Sequence, residues 1–328
     1  MELTSKTNSF FHWVKKYRPR ILSVVKILIS GGLLAYLVVA IDYKSIYNAV
    51  KYADVLLVIA AFGLSFVNIY LQYFKWKLTC SKILNEDNKS KILTSLFLGF
   101  SGGIITPMRV GEIFGRAISF KDKPLSIITI ATLVDKFFPL LIVTFLGAIS
   151  SLIFIYTYYK VSLYIIIALF IVLFSAFYFL ILLAMSERFW DSMLFSRLKK
   201  IKRVSDFVTQ VKSLKTLDRM FFTRMTILSL LFYACYLIQY SILVSAFSHN
   251  FNSFGYIWAG TLIIFIKSVI PPISLGELGI REGASVFFLT KLGETASTAF
   301  NASIFLFLIN LLLPSLVGFF LMLKKSNA

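Results

Sequence analysis

Residues 101–112 read Ser-Gly-Gly-Ile-Ile-Thr-Pro-Met-Arg-Val-Gly-Glu, and residues 271–283 read Pro-Pro-Ile-Ser-Leu-Gly-Glu-Leu-Gly-Ile-Arg-Glu-Gly. Both stretches place charged residues beside glycine and proline within strongly apolar parts of the chain. Charges inside a bilayer are costly, so they usually face a cavity and serve a function. Helices broken at corresponding points of two halves are typical of transporters built from inverted repeats. The two stretches therefore predict a membrane transport protein.

The composition of the chain is that of an integral membrane protein. Its 328 residues are 58% hydrophobic, and their mean hydropathy is +0.83. Apolar runs of about 20 residues suffice to cross a hydrocarbon core of roughly 30 Å. We therefore predict an all-α polytopic membrane protein that forms a single membrane domain over residues 1–328.

The net charge of +19, from 34 Lys and Arg against 15 Asp and Glu, is strongly positive. The basic residues lie in loops beside the apolar runs, where they set topology and attract anionic headgroups. We therefore expect the membrane as a partner and no nucleic acid. His12 and His249 lie in terminal and loop positions, and the sequence has no Walker loop, zinc-ligand spacing or serine-hydrolase elbow. The chain is accordingly not expected to be an enzyme or to hold a metal or cofactor.

Six apolar runs are predicted to be full spans: Ile21–Ile41, Asp54–Phe74, Leu125–Ile153, Val161–Met185, Met225–Phe247 and about Phe300–Leu323. Two further segments, Ile92–Ile118 and Phe254–Leu289, contain the two polar stretches and are predicted to be re-entrant or broken helices. The halves, about residues 1–157 and 158–328, then form an inverted repeat.

Loop charge predicts the orientation of the chain. The N-terminus, residues 75–91, residues 187–224 and the tail are basic, so the positive-inside rule places them in the cytoplasm. This corresponds to a multi-pass protein of a prokaryotic cytoplasmic membrane with both termini cytoplasmic. Residues 92–118 must then enter and leave at the cytoplasmic face and residues 254–289 at the outer face. Residues 187–224 fit an amphipathic helix in the headgroup region, although a solvated connector or a docking site for a partner is also open.

Each polar stretch also has the pattern of a helix start. Thr106 before Pro107 is a candidate N-cap, and Ser274 with Glu277 has the spacing of a capping box. Helices that begin inside the protein would direct their amides and positive dipole ends at a cavity. That arrangement predicts an anion site.

The arginines of the two stretches are candidate phosphate ligands, because the planar guanidinium binds phosphate bidentately. Arg109 and Glu112 are three residues apart and are expected to pair on one helix face. Arg281 and Glu282 are adjacent, so we expect them to point apart, with Glu112 reaching Arg281 across the repeat interface. The alternative is that these charges only hold two re-entrant tips together without touching a substrate.

Other polar residues in the apolar runs give weaker signals. Asp135, Lys136 and Lys267 could balance one another or an anionic substrate, and a local structural role is equally open. The spacings Gly111–Gly115 and Gly279–Gly283 predict close helix packing. Four amide side chains are expected to form interhelical hydrogen bonds: Asn68, Gln72, Gln239 and Asn310.

The strings Thr106–Glu112 and Pro272–Gly283 resemble the paired signatures of the flippase-like membrane proteins, which are related to the transmembrane flippase region of lysylphosphatidylglycerol synthases. The resemblance covers nearly the whole chain and implies movement of lipids or lipid-linked sugars across the cytoplasmic membrane. Met108 and Glu277 depart from the family pattern, where a small residue and a glycine are usual, and both could alter the choice of substrate. The soluble aminoacyl-transfer domain of the synthases is not expected here, so the chain should not make lysyl-lipid by itself.

Three hypotheses of function follow. The first is a translocase for an anionic phospholipid or a lipid-linked glycan. The second is a non-catalytic membrane subunit that supports envelope lipid or glycan assembly with envelope-biosynthesis partner proteins. The third is a membrane-embedded transferase with Glu112 or Glu282 as base. The candidate substrate-binding residues are Thr106, Arg109, Glu112, Ser274, Arg281 and Glu282, with Asp135, Lys136, Lys267 and Glu277 as auxiliary candidates.

Overall fold

The computed structural model describes residues 43–106, 109–185, 217–270 and 278–326, and the secondary structure of these residues is helical. The helices are α1 (Tyr43–Lys51), α2 (Val55–Thr79), α3 (Lys89–Ile105), α4 (Gly111–Ala117), α5 (Leu125–Tyr159), α6 (Leu163–Met185), α7 (Arg219–Ser248), α8 (Ser253–Val269), α9 (Ile280–Lys291), α10 (Ala296–Phe307) and α11 (Leu313–Ser326). A π-helical turn over Cys80–Leu84 follows α2, and another over Leu308–Leu312 joins α10 to α11. The all-α fold class is thus confirmed for the described residues. The predicted span Ile21–Ile41 and residues 187–216 lie outside them.

In the described ranges, four helical segments are long and apolar enough to cross a membrane: Val55–Leu84, Leu125–Tyr159, Arg219–Ser248 and Ala296–Lys324. Each coincides with a span predicted from the sequence. Helix α6 occupies the region of a fifth predicted span. The protein is therefore a multi-pass membrane protein.

The predicted cytoplasmic loop over residues 75–91 is wrong in its extent. Helix α2 and its π-helical turn continue to Leu84, and α3 begins at Lys89, so the connection is only residues 85–88. The sequence misled here because Lys75 and Lys77 end the apolar run. Lys75 is nevertheless buried, because Asp135 of α5 lies 3.6 Å from its ammonium nitrogen.

Helices α2 and α7 run antiparallel and define two ends of the molecule. The Asp54 amide before α2 donates to the Ala246 carbonyl in the last turn of α7, at 2.9 Å. At the other end, Lys82 lies 3.4 Å from the Asp218 carboxylate, which caps the start of α7. We call these the Asp54 end and the Lys82 end.

Both segments that contain the polar stretches are pairs of helices separated by a break, as the sequence predicted. The first pair, α3 and α4, begins and ends at the Lys82 end, where Lys91 donates to Asp122 at 2.9 Å. Lys91 also donates to Glu86, which lowers the pKa of that carboxyl and raises the pKa of Lys91. The second pair, α8 and α9, begins and ends at the Asp54 end, where the Tyr256 hydroxyl donates to Glu294.

Each pair packs against a long helix of the other half of the chain. Helix α3 packs along α11, α8 packs along α5, and α2 packs along α7. The contact between α3 and α11 is close, since a Cβ on Gly318 would overlap the Phe97 carbonyl and Ser101 donates to the Ser315 carbonyl at 2.6 Å. This packing holds the two breaks between the long helices.

Apolar cores fill both ends of the molecule. The core at the Lys82 end includes Trp76, Cys80, Ile92, Leu96 and Phe120. The core at the Asp54 end includes Leu243, Phe247, Tyr256, Leu289 and Ala299. The polar groups of the two breaks lie between these cores.

Candidate functional site

Thr106 connects the two helices of the first break. Its hydroxyl donates to the Gly102 carbonyl at 3.0 Å and accepts from the Gly111 amide at 2.6 Å. The second helix therefore begins at Gly111 and not at Pro107, which corrects the predicted helix start; Pro107 and Met108 lie outside the described residues. Arg109, which lies between α3 and α4, has a φ of 55°, a left-handed conformation that is uncommon for a residue with a Cβ.

Glycines allow α3 and α4 to approach closely. A Cβ on Gly111 would overlap the Gly102 carbonyl, and one on Gly115 would overlap the Leu98 carbonyl. The predicted packing role of the Gly111–Gly115 spacing is thus confirmed. It is wrong for the second spacing, because a Cβ on Gly283 meets nothing within 4 Å, and Gly279 has a φ of 95° that favours glycine for conformational reasons.

At the second break, the charged residues bind one another. The Arg281 guanidinium donates to the Glu282 carboxylate and, at 2.9 Å, to the Ser303 hydroxyl. Glu282 also accepts from the Gly279 amide at 2.6 Å. The expectation that Arg281 and Glu282 point apart was wrong. Both are buried, where water cannot solvate a lone charge, so the long arginine side chain folds back onto the adjacent carboxylate.

Glu112 has three basic partners, all in its own half of the chain. Its carboxylate lies 3.4 Å from Arg109, 2.6 Å from Arg116 and 2.8 Å from Lys136. The predicted Arg109–Glu112 pair is confirmed. The expected pair between Glu112 and Arg281 is wrong, because each of the two finds closer partners of opposite charge.

Arg116 extends these contacts into a buried ion network between α2, α4 and α5. Its guanidinium lies 3.0 Å from Asp135 and stacks 3.9 Å from the centre of the Trp76 ring. Asp135 in turn pairs with Lys75. The sequence did not identify Lys75 or Arg116, although Arg116 follows Glu112 at the i, i+4 spacing of a helix face.

Counted over the described residues, the network has an excess of positive charge. Its four cations are Lys75, Arg109, Arg116 and Lys136, and its two carboxylates are Glu112 and Asp135. Two of these cations, Arg109 and Lys136, are partly exposed, with 24% and 40% of their side chains accessible, so an anion can approach them. An anion bound beside this network would therefore be stabilised.

A small cavity of about 80 Å³ lies where the two breaks meet. Three of its lining residues are basic: Arg109 from the first break, Arg281 from the second, and Lys267 from the last turn of α8. The other lining residues are Asn68, Gln72, Phe100, Phe232, Tyr236, Leu306, Asn310 and Leu311. The described part of the cavity wall therefore brings three basic side chains together.

Amide side chains add hydrogen-bonding groups to this wall. Gln72 donates to Asn68 at 2.9 Å, and Asn310 donates to Gln239 of α7 at 2.7 Å. Asn310 lies in a π-helical turn, a local widening of the helix that is frequent at functional sites. Within the described part of the chain, the Asn68 Nδ2 and Asn310 Oδ1 atoms have no hydrogen-bond partner. Both can therefore serve a polar ligand.

The structure separates the predicted site residues into groups. Arg109, Arg281 and Lys267 line the cavity, whereas Asp135 and Lys136 belong to the ion network. Ser274 and Glu277 lie outside the described residues. The expectation that the two helix starts offer unused amides was wrong for the amides of Gly111 and Gly279, because Thr106 and Glu282 bind them. The side chains that bring positive charge to the cavity are therefore Arg109, Lys267 and Arg281.

Comparison with known proteins identifies the family of the chain. A family described as the lysylphosphatidylglycerol synthase TM region matches residues 23–318, nearly the whole chain. No curated protein matches. The resemblance seen in the two polar stretches is thus confirmed.

Proposed function

Because this chain belongs to the family of the lysylphosphatidylglycerol synthase TM region, we propose that it translocates an anionic phospholipid or a lipid-linked sugar across the membrane. The family and the apolar helices establish a membrane protein of lipid metabolism or transport. Movement of the lipid and binding of its headgroup are the parts that we propose.

One observation carries the proposal: basic residues from both breaks converge on one buried cavity. Arg109 and Arg281 are 172 positions apart in the chain, yet both line it together with Lys267. Basic side chains of this kind attract an anionic group and bind it by charge-assisted hydrogen bonds. Arg281 pairs with Glu282, and Arg109 pairs with Glu112 at 3.4 Å. A phosphate group in the cavity would bind the guanidinium of Arg109 in addition to that carboxylate.

The size of the cavity agrees with a headgroup and not with a whole lipid. About 80 Å³ accommodates several water molecules, which is enough for a phosphate group but not for acyl chains. In this proposal, the phosphate passes through the cavity while the acyl chains stay in the bilayer. Asn68 and Asn310 would bind the polar atoms of the headgroup that the cations do not reach.

The arrangement of the two helix pairs supports a route between two leaflets. One pair begins and ends at the Lys82 end and the other at the Asp54 end, as in an inverted repeat. Movement of either pair would open the cavity to its own end, which is the alternating access of such transporters. By loop charge, the Lys82 end faces the cytoplasm.

The contacts of the two glutamates favour translocation over group transfer. A catalytic base needs an accessible carboxylate that can accept a proton. Glu112 and Glu282 are both buried and bound by basic side chains, so each is held as a counterion.

The proposal is tested by lipid transport in proteoliposomes. Fluorescent phosphatidylglycerol, fluorescent phosphatidylcholine and an undecaprenyl-phosphate-linked sugar are each followed for protein-dependent exchange between leaflets. We expect Arg109→Ala and Arg281→Ala to abolish transport of the anionic lipid. The matched control is Lys291→Ala, which removes an exposed positive charge at the end of the same helix as Arg281.

Folding of each variant is checked by size-exclusion chromatography and thermal unfolding before transport is measured. Wild-type rates in both folded arginine variants would refute the proposed site. A wild-type protein that moves none of the three lipids would instead favour the non-translocating membrane subunit.

A further inference from the structure

A second concavity, of about 560 Å³, lies between α2 and α7 near the Lys82 end. Its volume is in the range of small-molecule binding sites. The lining residues are Phe74, Lys77, Leu78, Ser81, Asp87, Arg224, Ile227 and Leu228. We call this concavity the α2–α7 groove.

The groove is divided into a polar and an apolar part. Ser81 and Asp87 follow Phe74 along α2 and beyond it toward the Lys82 end, and Arg224 precedes Ile227 on the antiparallel α7. The charged groups thus lie nearer the end of the molecule, and the apolar groups lie nearer its middle. This order matches the headgroup and acyl regions of one leaflet.

The groove is separate from the cavity that Arg109 and Arg281 line. On α2, the cavity is lined by Asn68 and Gln72, whereas the groove is lined by Phe74 and Leu78. At 3.6 residues per turn, these two sets lie about 120° apart around the helix axis and so on different faces. Among the described residues, Arg224 and Ile227 of the groove are exposed, so the groove opens toward the bilayer.

We infer that the α2–α7 groove binds one anionic phospholipid from the leaflet at the Lys82 end. Lys77 and Arg224 outnumber Asp87, so the polar part carries net positive charge. Basic residues at the headgroup level attract anionic lipids, and Phe74, Ile227 and Leu228 offer apolar surface to an acyl chain. This lipid remains bound at the surface and differs from the one that is transported.

The segment that precedes α7 is an alternative occupant of the groove, but the charge of the groove favours a lipid. Residues 187–216 precede α7 in the chain and carry eight basic and three acidic residues. Lys77 and Arg224 would repel such a segment. An anionic headgroup has the complementary charge.

The test is retention of lipid by the full-length protein. Protein in nanodiscs of equal parts phosphatidylglycerol and phosphatidylcholine is released into the gas phase, and the bound lipids are identified by native mass spectrometry. We expect the wild type to retain one phosphatidylglycerol that the double variant Lys77→Gln/Arg224→Gln loses. Its affinity for the lipid should be about twenty-five-fold lower, because each basic residue contributes about fivefold. The matched control, Lys121→Gln/Lys291→Gln, removes the same charge from exposed positions outside the groove and should retain the lipid.

A second variant separates the acyl part from the charge. Leu228→Trp fills the apolar part and should also release the lipid, whereas millimolar inorganic phosphate should not displace it from the wild type. Equal retention by the double variant and the control would overturn the inference, and displacement by phosphate would identify a free-anion site instead. If Leu228→Trp leaves retention unchanged but exposes residues 187–216 to protease, that segment is the occupant. Because the readout is retention, these outcomes are independent of whether the protein moves lipids.

Discussion

The two arginines that line the cavity are held very differently. Arg281 is 3% exposed and bonded to Glu282 and Ser303. The side chain of Arg109 is 24% exposed, and its one ion pair among the described residues, with Glu112, is long at 3.4 Å. Its Nε and Nη2 atoms find no hydrogen-bond partner within the part of the chain that the structure describes. Arg109 therefore retains donors for a phosphate, whereas much of the capacity of Arg281 holds the start of α9.

This difference predicts unequal effects when each arginine is replaced by lysine, which keeps the positive charge but lacks the planar guanidinium group. Arg109→Lys should reduce transport of an anionic lipid about tenfold or more with little change in thermal unfolding, since a lysine cannot bind phosphate bidentately. Arg281→Lys should lower the unfolding temperature as well, because it disturbs a buried pair whose loss costs about 3–5 kcal/mol. Initial transport rates and unfolding midpoints of the purified variants measure both effects. A stability loss confined to Arg109→Lys would contradict the assignment.

At the scale of the element, the sequence predicted the two breaks but not the exact starts of the helices. Proline and glycine marked the breaks. The prediction of Thr106 as an N-cap was wrong, because Thr106 is the C-cap of α3 and the N-cap of α4 is Val110, although the Thr106 hydroxyl does accept from the Gly111 amide. Arg116 could have been identified from its i, i+4 spacing to Glu112, whereas Lys75 could not, because a lysine at the end of an apolar run also fits a loop. Only the packing of α2 against α5 shows that Lys75 faces Asp135. Likewise, the order of residues along one chain gave no sign that Arg281 folds back onto Glu282.

The glycines of the first break provide a test of how tightly α3 and α4 are packed. Gly115→Ala should destabilise the protein by about 1–3 kcal/mol, because the new methyl group overlaps the Leu98 carbonyl and backbone cannot move aside easily. Gly283→Ala is the matched control in the second pair. It has open space around the methyl group and should be neutral or stabilising by up to about 1 kcal/mol, as alanine favours a helix interior. Thermal or denaturant unfolding in one detergent compares the two, and equal destabilisation would refute the packing argument.

At the scale of the whole molecule, the two helix pairs point inward from opposite ends and meet at the cavity. The Lys82 end is tied together by Lys82–Asp218 and Lys91–Asp122, and the Asp54 end by Tyr256–Glu294. Helix α3 packs on α11 and α8 on α5, so a shift of either pair would also displace a helix of the other half. The cavity, between the apolar cores of the two ends, is where such shifts would change access.

This arrangement predicts that the loops after the two pairs face opposite sides of the membrane. Lys121 follows α4 at the Lys82 end and Lys291 closes α9 at the Asp54 end, and both are exposed. The native thiols of Cys80 and Cys235 are buried, so single cysteines at these positions are labelled above a low background. In intact cells, a membrane-impermeant maleimide should label Lys291→Cys at once and Lys121→Cys only after permeabilisation, because the positive-inside rule places the Lys82 end in the cytoplasm. The reversed pattern would invert the orientation but preserve the opposed pairs, whereas labelling of both from one side would refute the inverted arrangement itself and with it the alternating route through the cavity.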